Sequence, residues 1–255
     1  MEDKVLIAVD LDDTLLKKDK SVSDYTLDVL SRCKQKGAIL VISTARGYGN
    51  TEHYARLIGA DYCCCQTGNF IIDSGAKEIY VNPLDNEVKN AALDTFSKYT
   101  DEIFCDGLYC LYGIESEYSR SWNVTSCDMD YLKSLKTLKI CIRHTDEYVN
   151  EIIEFCKKNN VTHRFMRGAD FSFIAPLNSD KWNALEKLME IHSIKKENVY
   201  AFGDDVADIL SLVNAGHGVA MQNSKQEVLE RNFTLTLSNE EDGVAHYLEN
   251  NYLKD

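Results

Sequence analysis

The sequence predicts an α/β fold: a doubly wound, mainly parallel sheet that carries a smaller inserted α+β domain. Three observations predict it. Short apolar runs rich in Val and Ile alternate with helix-like stretches at both ends of the chain, the pattern of a parallel sheet covered on both faces. The first run, Val5-Leu6-Ile7-Ala8-Val9, is followed by Asp10, Asp12 and Asp13, and open α/β sheets bind ligands at the carboxyl ends of their strands. The alternation breaks off between the only two prolines, Pro83 and Pro176.

In chain order, the first part predicts strands over 4–9, 38–43 and 62–66 and helices over 24–36 and 48–58. A hairpin is expected near 70–81, around Asp73-Ser74-Gly75. The strands are continuous apolar runs, as expected where both faces are covered. The middle part carries an aromatic stretch over 104–118, strand-like segments over 138–143 and 171–175, and a helix-like segment over 148–158. The last part resumes the alternation with helices over 180–191, 206–213, 224–230 and 241–250 and strands over 198–202, 217–221 and 233–236. Residues 1–82 and 177–255 are therefore expected to form the core, and residues 83–176 an inserted domain of ordinary size.

Composition narrows the function classes. The 255 residues carry a formal net charge of −13, which disfavours nucleic acid as a partner because phosphate backbones demand a basic face. No apolar run approaches the length of a membrane span, and Met1-Glu2-Asp3-Lys4 shows no leader-like apolar region, so a cytoplasmic protein without a membrane partner is expected. It is expected to act as a monomer or weak dimer. There are nine cysteines and no C-x-x-C spacing, so reduced thiols are expected. Cys63-Cys64-Cys65 reads as a buried strand segment.

Four segments carry candidate chemistry, each at a predicted strand end or helix start. Asp10-Leu11-Asp12-Asp13-Thr14 places like charges close together, an arrangement that a divalent cation relieves. A calcium loop would need Gly at its sixth position and Glu at its twelfth; Leu15 and Ser21 stand there instead. Ser43-Thr44-Ala45-Arg46 ends a second strand with two hydroxyls and an arginine. Asn178-Ser179-Asp180-Lys181 opens a helix with a lysine, and Gly203-Asp204-Asp205-Val206-Ala207-Asp208 ends another strand with three aspartates. Taken singly, each has a plainer reading as loop, helix cap or solvated charge.

In this order the four segments resemble the four motifs of the haloacid dehalogenase-like (HAD) phosphatases. Gly218-Val219-Ala220-Met221-Gln222-Asn223-Ser224 and Gln66-Thr67-Gly68-Asn69 resemble further segments of the Cof-type subfamily, IIB. The resemblance implies a Rossmann-like core with a C2-type cap, inserted where residues 83–176 fall. It implies a phosphatase acting on small phosphorylated metabolites, such as sugar phosphates, through an aspartyl-phosphate intermediate. By position, Asp10 would be the nucleophile and Asp12 the acid/base, one ionised while the other starts protonated. Thr44 would bind the phosphoryl group and Lys181 would balance charge. Mg²⁺ would be held by Asp10, the Asp12 carbonyl and Asp204, with Asp208 on its waters. Ser43, Arg46, Thr67, Gly68 and Asn223 are the implied phosphate contacts, with Asn223 reaching either the phosphate or the aspartates. Arg164 and Arg167, with Tyr118, Arg120 and Trp122, are candidates for the rest of the substrate.

The departures from the family pattern are Asp13 and Ala45, where Gly is usual, together with Thr67, Trp182 and Ala207. Aspartate at position 13 suits a backbone that is not at positive φ. Two alternatives accompany the hydrolase reading. One is a phosphotransferase such as a hexose phosphomutase, and the other a degenerate phosphatase that binds a phosphorylated ligand or a protein.

Overall fold

The structure is a computed structural model that describes residues 4–166 and 170–254. The chain begins with β1 (Leu6–Val9), α1 (Asp24–Gln35), β2 (Ile39–Ser43), α2 (Glu52–Ile58), β3 (Tyr62–Cys65), β4 (Phe70–Asp73) and β5 (Glu78–Val81). It continues through α3 (Asn86–Phe96), β6 (Ile103–Asp106), β7 (Leu111–Gly113), α4 (Glu117–Ser121), β8 (Thr125–Ser126) and α5 (Met129–Ser134). Then come β9 (Lys139–Arg143), α6 (Val149–Lys158), β10 (Thr162–Phe165) and β11 (Phe171–Ala175). The last part holds α7 (Lys181–His192), β12 (Val199–Gly203), α8 (Ile209–Asn214), β13 (His217–Met221), α9 (Gln226–Leu229), β14 (Thr234–Thr236) and α10 (Gly243–Asn251).

The chain divides into two units. One comprises residues 1–46, 50–79 and 180–255, the other residues 47–49 and 80–179. The first is built on an eight-stranded sheet in the order β14-β13-β12-β1-β2-β3-β4-β5. The pairs from β14 to β3 are parallel, and β4 runs antiparallel to β3. β1 is at its centre and its residues are 0–2 % exposed, as its unbroken apolar sequence requires. Because these strands are parallel, the turns after Val9, Ser43, Gly203 and Met221 gather at one edge of the sheet.

The second unit has a six-stranded sheet in the order β10-β11-β9-β6-β7-β8, antiparallel except where β7 meets β8. Alternate residues serve its two faces. Ile103, Cys105, Ile140, Ile142 and Ile174 pack with Leu93, Phe96, Leu132 and Ile152 of the helices. Phe104, Cys141 and Phe171 pack with Tyr118 and Trp122 on the other face.

Several elements differ from the sequence expectation. The helix expected over 48–58 reduces to a short turn, Tyr48–Asn50, followed by α2, because Gly47, Gly49 and Asn50 are poor helix formers. The helix expected from 206 starts at Ile209, after a tight turn over Val206–Asp208. The helix expected over 224–230 is the four-residue α9. α3 was not anticipated; Asp85 caps it by accepting from the Glu87 and Val88 amides. The cysteines of the described residues are all free, and Cys63, Cys64 and Cys65 are buried in β3. Among the described residues no helix is long and apolar enough to cross a membrane.

Candidate active site

Asp10 follows the buried end of β1 and is itself 7 % exposed. The chain then turns tightly, with the Leu15 amide donating to the Asp10 carbonyl at 3.2 Å and the Leu16 amide to that of Leu11 at 2.8 Å. Asp12 is extended, but Asp13 lies in the left-handed region at φ 57° and ψ 9°. This corrects the expectation for position 13. The turn keeps the conformation that glycine would adopt freely, and aspartate tolerates it at a cost of roughly 1 kcal/mol. The Asn223 side-chain amide donates to the Asp13 carbonyl at 2.7 Å. Asn223 thus reaches the aspartate turn through that turn's backbone.

Lys181 is the first residue of α7, and Asp180 caps that helix by accepting from the Asn183 amide. A cation at a helix N-terminus is unfavourable against the dipole. Two carboxylates offset this: the Lys181 ammonium lies 2.8 Å from Asp10 Oδ1 and 2.6 Å from Asp208 Oδ1. Asp208 uses its other oxygen to accept from the Asp204 and Asp205 amides at 3.1 and 3.0 Å. Gly203 makes room for it, since a Cβ there would stand 2.3 Å from the Asp208 carboxyl carbon. Thr14 donates its hydroxyl to Asp204 Oδ1 at 2.8 Å.

Asp10, Asp204 and Asp208 are all buried, and one oxygen from each lies within 4.8 Å of the others. Two of the three carboxylates, Asp10 and Asp208, pair with one ammonium. Burial raises the Asp10 carboxyl well above its ordinary range, against the pull of Lys181. Burial, with Asp10 and Asp208 nearby, pushes Asp204 up to about 8. Burial alone would lower Lys181, but Asp10 and Asp208 outweigh it and keep the ammonium firmly protonated. An all-oxygen, strongly acidic cluster of this kind fits a small hard divalent cation, which would offset the burial and mutual repulsion that raise these carboxyls.

Asp12 stands apart from this cluster, with its side chain 40 % exposed. Arg46 donates Nε to its Oδ2 at 2.7 Å and Nη2 to its Oδ1 at 2.6 Å, and Lys20 adds a bond at 2.7 Å. Partial burial would raise this carboxyl, but the two cations outweigh it and hold it down at about 2. The expectation that Asp12 starts protonated is therefore reversed in this conformation, for an identifiable reason: the bidentate arginine and the lysine favour the anion.

Thr44 is buried beside this pair, and its hydroxyl oxygen accepts from the Arg46 amide at 3.2 Å. The Ser43 hydroxyl is buried with no partner among the described residues. Gln66, Thr67 and Gly68 follow one another at positive φ (52°, 55° and 87°), and the Thr67 amide donates to the Thr44 carbonyl at 3.0 Å. Gly68 has a packing reason: a Cβ there would meet the Asp180 carbonyl oxygen at 2.0 Å.

Of the substrate candidates in the second unit, Arg164 donates to the Ser179 carbonyl at 2.8 Å and Arg120 pairs with Glu115 at 3.0 Å. Tyr118 and Trp122 cover Phe171. Arg167 lies outside the described residues. Lys20, Thr14, Lys225 and Asn239 were not singled out by sequence. Only Thr14 left a signal, its place four residues after Asp10.

Fold and site define a class: a doubly wound α/β enzyme with its acidic centre at the carboxyl ends of parallel strands. Comparison with known proteins gives the family. The family model of the haloacid dehalogenase-like hydrolases matches residues 7–248, and the chain belongs to that family. Two relatives from Bacillus subtilis (strain 168) bear the name 5-amino-6-(5-phospho-D-ribitylamino)uracil phosphatase. They are 30% and 28% identical, and each match covers 95% of this chain and 96% of the relative. A crystal structure of a haloacid dehalogenase-like hydrolase from Bacteroides thetaiotaomicron superposes with a TM-score of 0.85 at 24% identity, covering 97% of this chain and 99% of that one. The protein is a phosphatase of the Cof type within this family.

Proposed function

We propose that the protein is a Mg²⁺-dependent phosphatase of small phosphorylated metabolites, sugar or polyol phosphates among them, working through an aspartyl-phosphate at Asp10. The observation that carries this reading is the trio of buried carboxylates, two of them paired with Lys181. Such a cluster calls for a cation and offers an anionic nucleophile beside it. The printed names of the two Bacillus relatives, phosphatases of a phosphoribityl compound, favour this substrate class.

Asp10 would attack phosphorus while the bond to the leaving oxygen breaks, and the proton for that oxygen would come from Asp12. Asp12 would then take a proton from water as that water attacks the aspartyl-phosphate, which releases phosphate and restores the Asp10 carboxylate. Before the first step Asp12 has to leave Arg46 and take up a proton. Lys181 would neutralise the developing charge, and the Thr44 hydroxyl would orient the phosphoryl group. Asp10, Asp204 and the Asp12 carbonyl, with Asp208 through water, would hold Mg²⁺, which when bound would screen nucleophile from phosphate. Residues 83–176 would recognise the leaving group, with Arg164 and Arg167 as candidate contacts. A cytoplasmic monomer or weak dimer belongs to the same reading.

The test is phosphate release from a panel of phosphorylated metabolites with Mg²⁺, using the Asp10→Asn protein as blank. Release by the parent alone is expected. No release above the blank from any compound would overturn the reading.

A further inference from the structure

The turn after β13 reaches over the neighbouring strand end. β13 pairs with β12, and β12 with β1, so the loop bearing Asp204 and Asp208 lies between the β13 turn and the turn bearing Asp10. Residues Asn223–Lys225 touch both. The Asn223 amide donates to the Asp13 carbonyl at 2.7 Å. Two residues on, the Lys225 backbone N–H donates to the Asp204 carbonyl at 2.9 Å, and the Lys225 ammonium pairs with the Asp205 carboxylate.

The bridge is itself fixed. The Ser224 amide donates to the Met221 carbonyl at 3.0 Å, and the Lys225 carbonyl accepts from the first turn of α9. On the far side, the Asn239 backbone amide donates to Asn223 Oδ1 at 3.0 Å, while its side chain, buried, donates to the Leu16 carbonyl at 2.8 Å. The strained backbone at Asp13 is thus gripped at its carbonyl and again three residues later. None of these bonds touches a carboxylate of the buried trio. They hold the two backbone segments from which Asp10 and Asp204 project.

We propose that Asn223–Lys225 is a positioning bridge that sets the spacing between the Asp10 turn and the Asp204 loop, and so sets the affinity of the site for its divalent ion. This rests on the metal-site reading above. Residues that orient metal ligands from behind typically change metal affinity by about 10–100-fold when lost. A bridge that only stabilised the fold would change the melting temperature and leave the ion affinity of the folded protein alone.

The test measures Mn²⁺ binding to the full-length protein, by electron paramagnetic resonance and by calorimetry. Variants are Asn223→Ala, the charge-neutral pair Asp205→Asn/Lys225→Met, and Asp204→Asn as control. Asn223 is exposed, so its truncation is expected to leave the protein folded. The expected result is a Kd for Mn²⁺ raised about tenfold in Asn223→Ala and in the double variant. Less than a twofold change in both folded variants, with Asp204→Asn binding lost, overturns the bridge and leaves the metal site standing. If Asp204→Asn binds as tightly as the parent, the metal-site reading itself fails and the bridge with it.

Discussion

Charge decides most of what happens at single residues. Among the described residues Lys181 is the cation that pairs with Asp10 and Asp208, in a cluster that also holds Asp204. Lys181→Met is expected to lower kcat about a hundredfold, measured as phosphate release with Mg²⁺ saturating. A rate within threefold of the parent would contradict its role. The same cluster fixes a pH dependence. Asp204 rises from 3.8 to about 8, and Asp10 rises as well. A carboxyl raised on folding stabilises the protein fully below its unfolded value, and that contribution is lost as pH climbs through the folded one. The ion-free protein therefore loses stability on going from weakly acidic pH towards 8, and Mg²⁺, which binds the ionised form, is expected to raise the melting temperature more at pH 8 than at pH 5. A larger increment at pH 5 would contradict this. Asp12 answers in the opposite direction: Arg46→Met is expected to move its carboxyl from about 2 towards 3.8, read by carbon NMR titration of the Asp12 side chain.

Backbone contacts between elements decide how those charges are held. Gly68 packs against the first residues of α7, where a Cβ would overlap the Asp180 carbonyl at 2.0 Å and φ is already 87°. Gly68→Ala is expected to cost roughly 2 kcal/mol or more of stability and to lower kcat by displacing Lys181. A melting temperature and kcat both equal to the parent's would refute this. Elements with strong local patterns were legible from sequence: β1 is an unbroken apolar run, and β11 spans Phe171–Ala175 as its aromatic and β-branched residues suggest. α3 also has a pattern that sequence can show, with apolar Val88, Ala92, Leu93 and Phe96 on one face and Asp85 as cap. The left-handed backbone at Asp13 was not legible, because the side chain tolerates two conformations and only the surrounding turn chooses between them. Nor were the Asn223 and Asn239 contacts, which span 210 and 223 residues and end on backbone carbonyls that have no sequence signature.

At the level of the whole molecule the chain forms two compact units. The first gathers four motifs from residues 10–208 at one edge of a parallel sheet, and the order of β12, β1 and β2 explains why segments so far apart in sequence can act together. That arrangement was legible because strand ends in such sheets point the same way. The leaving group's identity was not, because the second unit's surface residues follow no motif. On the proposed function the central event is one bond, formed between the Asp10 carboxylate and phosphorus. The most direct test stops the enzyme during turnover of a substrate with Mg²⁺ and reduces it at once with borohydride, which converts an acyl phosphate to an alcohol. Peptide mapping is expected to find homoserine at position 10 and aspartate everywhere else. Phosphate release with Asp10 unmodified at every time point would contradict the account.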